Sequence, residues 1–298
     1  MKYSEQTLQS WTAPASDTEK QKQDNAYSMI KSAIDECAEL EELTIEVFVQ
    51  GSYANNTNIR VDSDVDVCVM LKSTFFTEYP DGKNDGDYGF YKGTILYEEY
   101  KRRVKKAIVS KFGAENVTTG NKSIKIRSNS YRVNADVVVA FLLKNFRVLN
   151  STRPDKYIEG IRFNALDGTV VTNYPKEHIK NGIEKNNRTN HKFKYLTRIF
   201  KRIRSKMIDD RVINGDTISS FLVECLIWNI PSSIITENER WTETVKKSIQ
   251  YIYKAIREGK AKDWTEISQY LSLFNNKRKW TIMDVKIFLG RMWNYLEF

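Results

Sequence analysis

The spacing of hydrophobic residues switches several times along the chain, and each switch predicts a change of element. Tyr27, Ile30, Ile34, Cys37 and Leu40 recur at three- and four-residue steps, which predicts a helix over residues 16–43. Ser16 and Glu19 form a capping box at its start. Over residues 44–50 the period drops to two, with Ile45, Val47 and Val49 alternating with Glu46 and Phe48, as in a strand. A polar turn region follows over 51–62, then a second strand over 65–71. Residues 73–92, rich in Gly, Asp and Tyr, read as a surface loop, and 94–112 as a basic amphipathic helix. Three short strands are expected near Val117, over 123–127 and over 132–141. A second polar loop covers 144–160, and a hairpin turns at Asp167-Gly168 within 161–171. From Pro175 the pattern is helical almost to the end, most clearly over 218–230 and 241–256. The expected architecture is α+β: a mixed sheet with helices in residues 1–170, a helical lobe in 171–298, and a cleft between them.

Composition narrows the function classes. Of 298 residues, 41% are hydrophobic and 12% aromatic, enough for a packed core, so overall disorder is excluded. The chain carries 47 Lys+Arg against 38 Asp+Glu, a formal charge of +9 that suits an anionic partner. Cys37, Cys68 and Cys225 are far apart, which argues against a disulfide framework and fits a reducing compartment. With no CxxC pair and only His178 and His191 as histidines, no zinc module is expected. No signal peptide is read at the N-terminus. The longest apolar run, 135–143, is interrupted by Asp136 and falls short of the ~18 residues that span a bilayer. The expectation is a cytoplasmic protein with no membrane partner.

Candidate chemistry concentrates in Gln50-Gly51-Ser52 and in Ser63-Asp64-Val65-Asp66-Val67. A strand runs into Gly-Ser, and the next strand opens with two aspartates two residues apart. Residues i and i+2 of a strand project to the same face, so Asp64 and Asp66 are expected together. Adjacent carboxylates repel unless a cation lies between them, and Mg²⁺ takes one or two carboxylates plus phosphates. Gly51 lets the backbone approach a phosphate, and Ser52 adds a hydroxyl donor. Asp136 is a lone acid in an otherwise apolar strand, costly unless it is paired or holds a metal. Together the three acids suggest two-metal phosphoryl chemistry.

The arrangement resembles the nucleotidyltransferase superfamily built on a polymerase-β-like palm. More narrowly, residues 51–60, 63–67 and 135–139 resemble the bacterial cGAS/DncV-like nucleotidyltransferases (CD-NTases). So do Tyr157-Ile158-Glu159-Gly160-Ile161, Asn173-Tyr174-Pro175-Lys176-Glu177-His178 and Ser220-Phe221-Leu222-Val223-Glu224-Cys225. The similarity is closest to clade E, the CdnE enzymes, which include cyclic UMP-AMP synthases. Residues 232–298 carry no motif beyond the family's helical lobe.

The resemblance implies a nucleotidyltransferase that joins NTPs into a cyclic dinucleotide second messenger for antiphage (CBASS) signalling. It implies Asp64, Asp66 and Asp136 as the catalytic metal triad for two Mg²⁺ ions, with Mn²⁺ as a substitute. Gln50, Gly51 and Ser52 fall on the triphosphate-binding turn. Lys194 and Ser220 match contacts to the donor triphosphate, and Phe221 takes the place of a base-stacking aromatic, usually Tyr. Phe keeps the stacking face and loses the hydroxyl. Asn173 matches a lid position in the base pocket, where Asn goes with uracil, so ATP and UTP are the expected substrates. Two residues keep a second reading. Asn173 before Tyr-Pro is also an ordinary turn former. Lys194 lies in a run with Lys192, Arg198, Lys201, Arg202, Arg204 and Lys206 that also reads as a solvated face. Neither histidine is needed as a base, and the tryptophans read as packing. The expectation includes a monomer, no obligatory nucleic acid and a separate effector that binds the product. The rivals are a synthetase of linear oligonucleotides and a nucleic-acid sensor with a residual palm fold.

Overall fold

The structure, a computed structural model, describes residues 1–59, 64–275 and 278–298. Among these, helices α1 (Glu5–Ser10) and α2 (Asp17–Asp35) precede strand β1 (Ile45–Gln50), the one-turn helix α3 (Gly51–Ala54) and strand β2 (Val65–Glu78). Helix α4 (Tyr97–Phe112) leads to β3 (Val117–Thr119), β4 (Ile124–Ile126), β5 (Ala135–Asn145), β6 (Ile158–Asn164) and β7 (Val170–Asn173). The rest is helical: α5 (Pro175–Arg188), α6 (Lys192–Asp209), α7 (Ser220–Trp228), α8 (Ser232–Thr236), α9 (Trp241–Arg257) and α10 (Ile282–Tyr295). These form two compact units, one of residues 16–54 and 60–176, the other of 1–15, 55–59 and 177–298. No helix among the described residues is long and apolar enough to cross a membrane. The α+β architecture, a mixed sheet with helices and a helical C-terminal region, is the one expected.

In the sheet unit the central pair is β2 and β5, which run parallel, while every other pairing is antiparallel. One edge of β5 carries β2. Its other edge takes β4 at residues 135–137 and β6 at residues 141–145. A parallel pair is stable when both faces are covered. Val65, Val67, Cys68, Val69, Met70 and Leu71 are accordingly buried, with Ile30 and Ile34 of α2 and Tyr100, Val104 and Ile108 of α4 in the same core. The capping box forms as expected, with Ser16 Oγ accepting from the Glu19 amide and Glu19 accepting from the Ser16 amide.

Several boundaries differ from the periodicity. Helix α2 stops at Asp35, because Cys37 turns extended and a 3₁₀ turn, Ala38–Leu40, drops Leu40 into the core. Strand β2 continues to Glu78, through residues expected in a loop, since Phe75 and Phe76 pair with Leu142 and Leu143 of β5. A register shift between Leu71 and Phe75 breaks the alternation and hides the second half of the strand. Strand β5 likewise runs to Asn145, and β6 starts at Ile158. The hairpin at Asp167-Gly168 forms, with Gly168 at φ +80°. Residues 60–62 of the expected polar turn, and Ser63, lie outside the described residues.

The helical unit packs α6 and α7 against α9 and α10, with Phe193, Leu196, Phe200, Leu222, Leu226, Ile249, Phe288 and Leu289 in one core. Leu8 of α1 belongs to that core, and Glu5 accepts from the amides of Trp241 and Thr242 at the start of α9. Lys185 is buried on α5 and donates to the carbonyls of Trp228 and Ile230, at the end of α7. Burial pulls its pKa down to about 7, with Arg188 adding to the shift. Because the folded pKa lies below the unfolded one, the unfolded chain binds more protons between them, so Lys185 makes stability rise with pH from about 7 toward 10.5. Lys185→Met is expected to remove that rise. Denaturant midpoints from pH 6.5 to about 9.5 check this, and parallel profiles for the two proteins would count against it.

Candidate active site

Strand β1 ends at Gln50, which lies opposite Asp66 in the antiparallel register with β2. The chain then turns at once. Gly51 has φ +69°, and a Cβ built there would lie 2.0 Å from Asp66 Oδ2. Only glycine brings the backbone this close to the carboxylate without strain. Ser52 follows within α3, whose Tyr53 hydroxyl donates to Asp24 of α2. The Gly-Ser turn is therefore pinned between the acid on β2 and an outer helix.

Two of the three aspartates sit on the parallel strands and the third directly before one of them. Asp66 and Asp136 occupy matched positions of β2 and β5, and Asp64, just before β2, is exposed. Asp136 is half-buried, and Lys125 of β4 lies across from it in register. Burial pushes the Asp136 carboxyl up from its ordinary value, Lys125 opposes this, and the charge of Asp64 adds to it. Lys125 and Arg127 join Asp64 and Asp136 in lining a cavity of 240 Å³. Among the described residues no three of His, Cys, Asp and Glu converge closely enough to hold a metal ion. The donor set still fits a divalent cation in kind: the three candidates offer hard carboxylate oxygens on or beside neighbouring strands, and the charge of Asp64 raises the cost of ionising Asp136.

Asn173 closes β7, paired with Ile161 of β6. Its surroundings are tightly fixed. Tyr174 is buried and its hydroxyl accepts from Asn145 Nδ2, while Lys176 bridges Glu46 and Glu159. A Cβ at Gly160 would lie 3.0 Å from the Asn173 carbonyl and 2.9 Å from the Tyr174 ring.

In the helical unit Lys194 is half-buried on α6, and burial lowers its pKa, with Glu224 opposing and Arg198 adding. Ser220 is exposed at the first position of α7; the capping side chain is that of Ser219. Phe221 is 36% exposed, with His178 and Trp280 as ring neighbours.

The basic run on α6 is not a solvated face. Arg198 and Lys201 are buried, Arg198 donating to the carbonyls of Thr12 and Asn56, and Lys201 to Thr57 and Glu224. Arg204 donates to the carbonyls of Ile218 and Gly215, and Lys192 to that of Asn238. Periodicity missed this use of the cations. It also missed Glu224, although that residue gives the same signal as Asp136: a lone acid inside an apolar run.

The sheet and its acids define a nucleotidyltransferase. Residues 30–133 match the nucleotidyltransferase domain, and residues 180–297 match the cGAS/DncV-like nucleotidyltransferase C-terminal helical domain. The chain belongs to the CD-NTases and, within them, to the cyclic dinucleotide synthases of the CdnE type. It is 44% identical to the cyclic dipyrimidine nucleotide synthase CdnE of Cecembia lonarensis, over 100% of this chain and 99% of that protein. The structure of the Elizabethkingia meningoseptica CdnE cyclic dinucleotide synthase with GTP and Apcpp superposes with a TM-score of 0.83, at 33% identity, over 99% of this chain and 100% of that one. The Rhodothermus marinus CdnE c-UMP-AMP synthase with Apcpp and Upnpp gives a TM-score of 0.87 at 28% identity, over 99% of this chain and 97% of that one.

Gly51→Ala tests the close approach of turn and acid. The added methyl meets Asp66 and φ is unfavourable, so we expect a stability loss of about 1–3 kcal/mol and a fall in turnover beyond about a hundredfold. Unfolding and steady-state pyrophosphate release measure the two. Wild-type turnover in this variant would show that the approach is dispensable.

Proposed function

We propose that this chain is a Mg²⁺-dependent synthase that condenses two nucleoside triphosphates, one of them UTP, into a cyclic dinucleotide, with cyclic UMP-AMP as the leading product. The observation that carries the reading is the pairing of Asp66 with Asp136 across parallel strands, directly against the Gly51-Ser52 turn. Asp64, Asp66 and Asp136 are the residues that would hold Mg²⁺, which supplies charge neutralisation and lowers the pKa of the attacking hydroxyl. Gln50, Gly51 and Ser52 take the triphosphate through backbone amides and a hydroxyl. Lys194 and Ser220 act as donor-triphosphate contacts, and Phe221 stacks on a base.

In each step a 3′-hydroxyl oxygen attacks an α-phosphorus. A P–O bond forms, the bond to pyrophosphate breaks, and the hydroxyl proton passes to Asp136. The linear intermediate then re-enters reversed, and a second attack closes the ring with a second pyrophosphate released. The NTP pool places the reaction in the cytoplasm, with no obligatory nucleic acid. The enzyme acts as a monomer, and the product serves as a CBASS second messenger read by a separate effector.

Base choice is assigned to Asn173. Its carboxamide offers one donor and one acceptor, which match O4 and N3–H of uracil. A mismatched base leaves buried polar groups unpaired at roughly 1–3 kcal/mol each, a bias of about tenfold to a hundredfold. A ring of two pyrimidines is the second reading, favoured by the Cecembia relative's product class.

Two experiments decide these points. Asp66→Asn should abolish product while leaving the unfolding transition in place; near-wild-type turnover with Mg²⁺ would unseat the metal assignment. Incubation with four labelled NTPs, phosphatase treatment and mass analysis should give a uracil-containing, phosphatase-resistant product. Asn173→Ser should move the products toward purines with pyrophosphate release within about tenfold of wild type. A purine-only wild-type product, or an unchanged spectrum in the variant, would refute the role of Asn173. Phosphatase-sensitive products would favour the linear synthetase.

A further inference from the structure

Glu224 is the acid that the proposed reaction does not use, and it is among the most constrained groups in the helical unit. Its side chain is 5% exposed. One carboxylate oxygen, Oε2, accepts from Lys201 Nζ at 2.5 Å and from the Thr57 hydroxyl at 2.7 Å. Lys201 donates in turn to Thr57, at 3.0 Å to the hydroxyl and 3.2 Å to the carbonyl. The other oxygen, Oε1, lies 3.3 Å from His178 Nε2. A carboxylate only accepts, so this partner places the ring hydrogen on Nε2. Burial alone would raise the Glu224 pKa, yet Lys201 and His178 together hold it well below the usual range.

The neighbours of this cluster give it a purpose. The His178 ring lies 5.7 Å from that of Phe221 at 34°, and Trp280 lies 6.3 Å away on a further contact at 42°. Trp280 is itself fixed by donating from Nε1 to the Leu273 carbonyl at 3.0 Å. Phe221 thus stays 36% exposed while it keeps two aromatic neighbours, His178 and Trp280. A partly exposed ring held this way is suited to stack on a flat ligand, because little side-chain freedom remains to be lost on binding. On its other side the cluster holds Thr57 through Lys201 and the Glu224 carboxylate. Arg198 adds to that hold through the Asn56 carbonyl.

We propose that Glu224 is a positioning residue for nucleotide binding: through His178 it sets the ring of Phe221, while Lys201 and Thr57 hold its own carboxylate in place. The inference deepens the proposed function and rests on Phe221 as the base-stacking ring. Glu224 and His178 touch no reacting atom, so their loss acts on affinity more than on the chemical step.

The test measures UTP binding in EDTA by calorimetry, so that no metal or turnover enters the readout. His178→Ala and Phe221→Ala should each weaken UTP by about tenfold. The double variant should be no weaker than either alone, because both remove the same stacked ring geometry. The paired change Glu224→Gln with Lys201→Met leaves no unpaired buried charge, and it should weaken UTP similarly while keeping a cooperative unfolding transition. Losses that multiply to about a hundredfold in His178→Ala/Phe221→Ala, or wild-type affinity in both His178→Ala and the paired variant, would overturn the positioning role. The two proposals fail separately. A wild-type protein that shows the coupling yet makes no cyclic product loses the proposed function alone. One that cyclises NTPs without the coupling loses the positioning role alone.

Discussion

The parallel pairing of β2 with β5 is the constraint from which the rest of the sheet unit follows. Parallel neighbours put residues of the same strand order at the same height, so Val65 meets Ala135 and Asp66 meets Asp136. Two carboxylates thereby share one end of the sheet, where burial and the charge of Asp64 raise the cost of ionising Asp136. The remaining pairings are arranged around this one. β4 brings Lys125 opposite Asp136, and β1 delivers Gly51 against Asp66. β6 and β7 use the far half of β5 to place Asn173. A slip of one residue in β2 would turn Asp66 into the apolar core and Val67 toward the site.

The helical unit solves a different problem. It holds many cations close together, and their mutual repulsion and desolvation are met by backbone carbonyls as much as by acids. Arg198, Lys201, Arg204, Lys192 and Lys185 all donate to main-chain oxygens. These bonds tie down stretches without regular secondary structure, among them residues 55–59 and 215–218, which a hydrophobic core alone would leave loose. Removing one partner of such a buried pair costs far more than neutralising both, since a lone desolvated charge is left behind. The +9 charge is therefore a poor guide to an anionic partner here, because part of it is used internally.

Relatives of this chain carry names that span cyclic dipyrimidine, GTP-binding and UMP-AMP enzymes on one fold. The named products thus vary while the fold is shared. Asn173 sits on a strand end that is packed by Tyr174, Gly160 and Lys176. That packing fixes the backbone of the strand end from which the Asn173 side chain projects.

Local spacing alone carried the candidate acids and most of the elements. The Gly51-Ser52 turn, the Asp64/Asp66 pair, the lone Asp136, the Ser16–Glu19 cap and the hairpin at Gly168 are all contiguous signals, each set by a few neighbouring residues. The tertiary structure decided what depends on partners far along the chain. Strand β2 runs on past Leu71 only because β5 offers Leu142 and Leu143 to Phe75 and Phe76. Helix α2 ends at Asp35 because Leu40 must reach the core, and residues 1–15 pack with helices more than two hundred positions later. Whether Arg198 and Lys201 faced water or the interior was likewise undetermined by their spacing. A charged residue on a helix gives the same pattern in either case, and only the carbonyls and the Glu224 carboxylate brought to it by the fold make burial affordable.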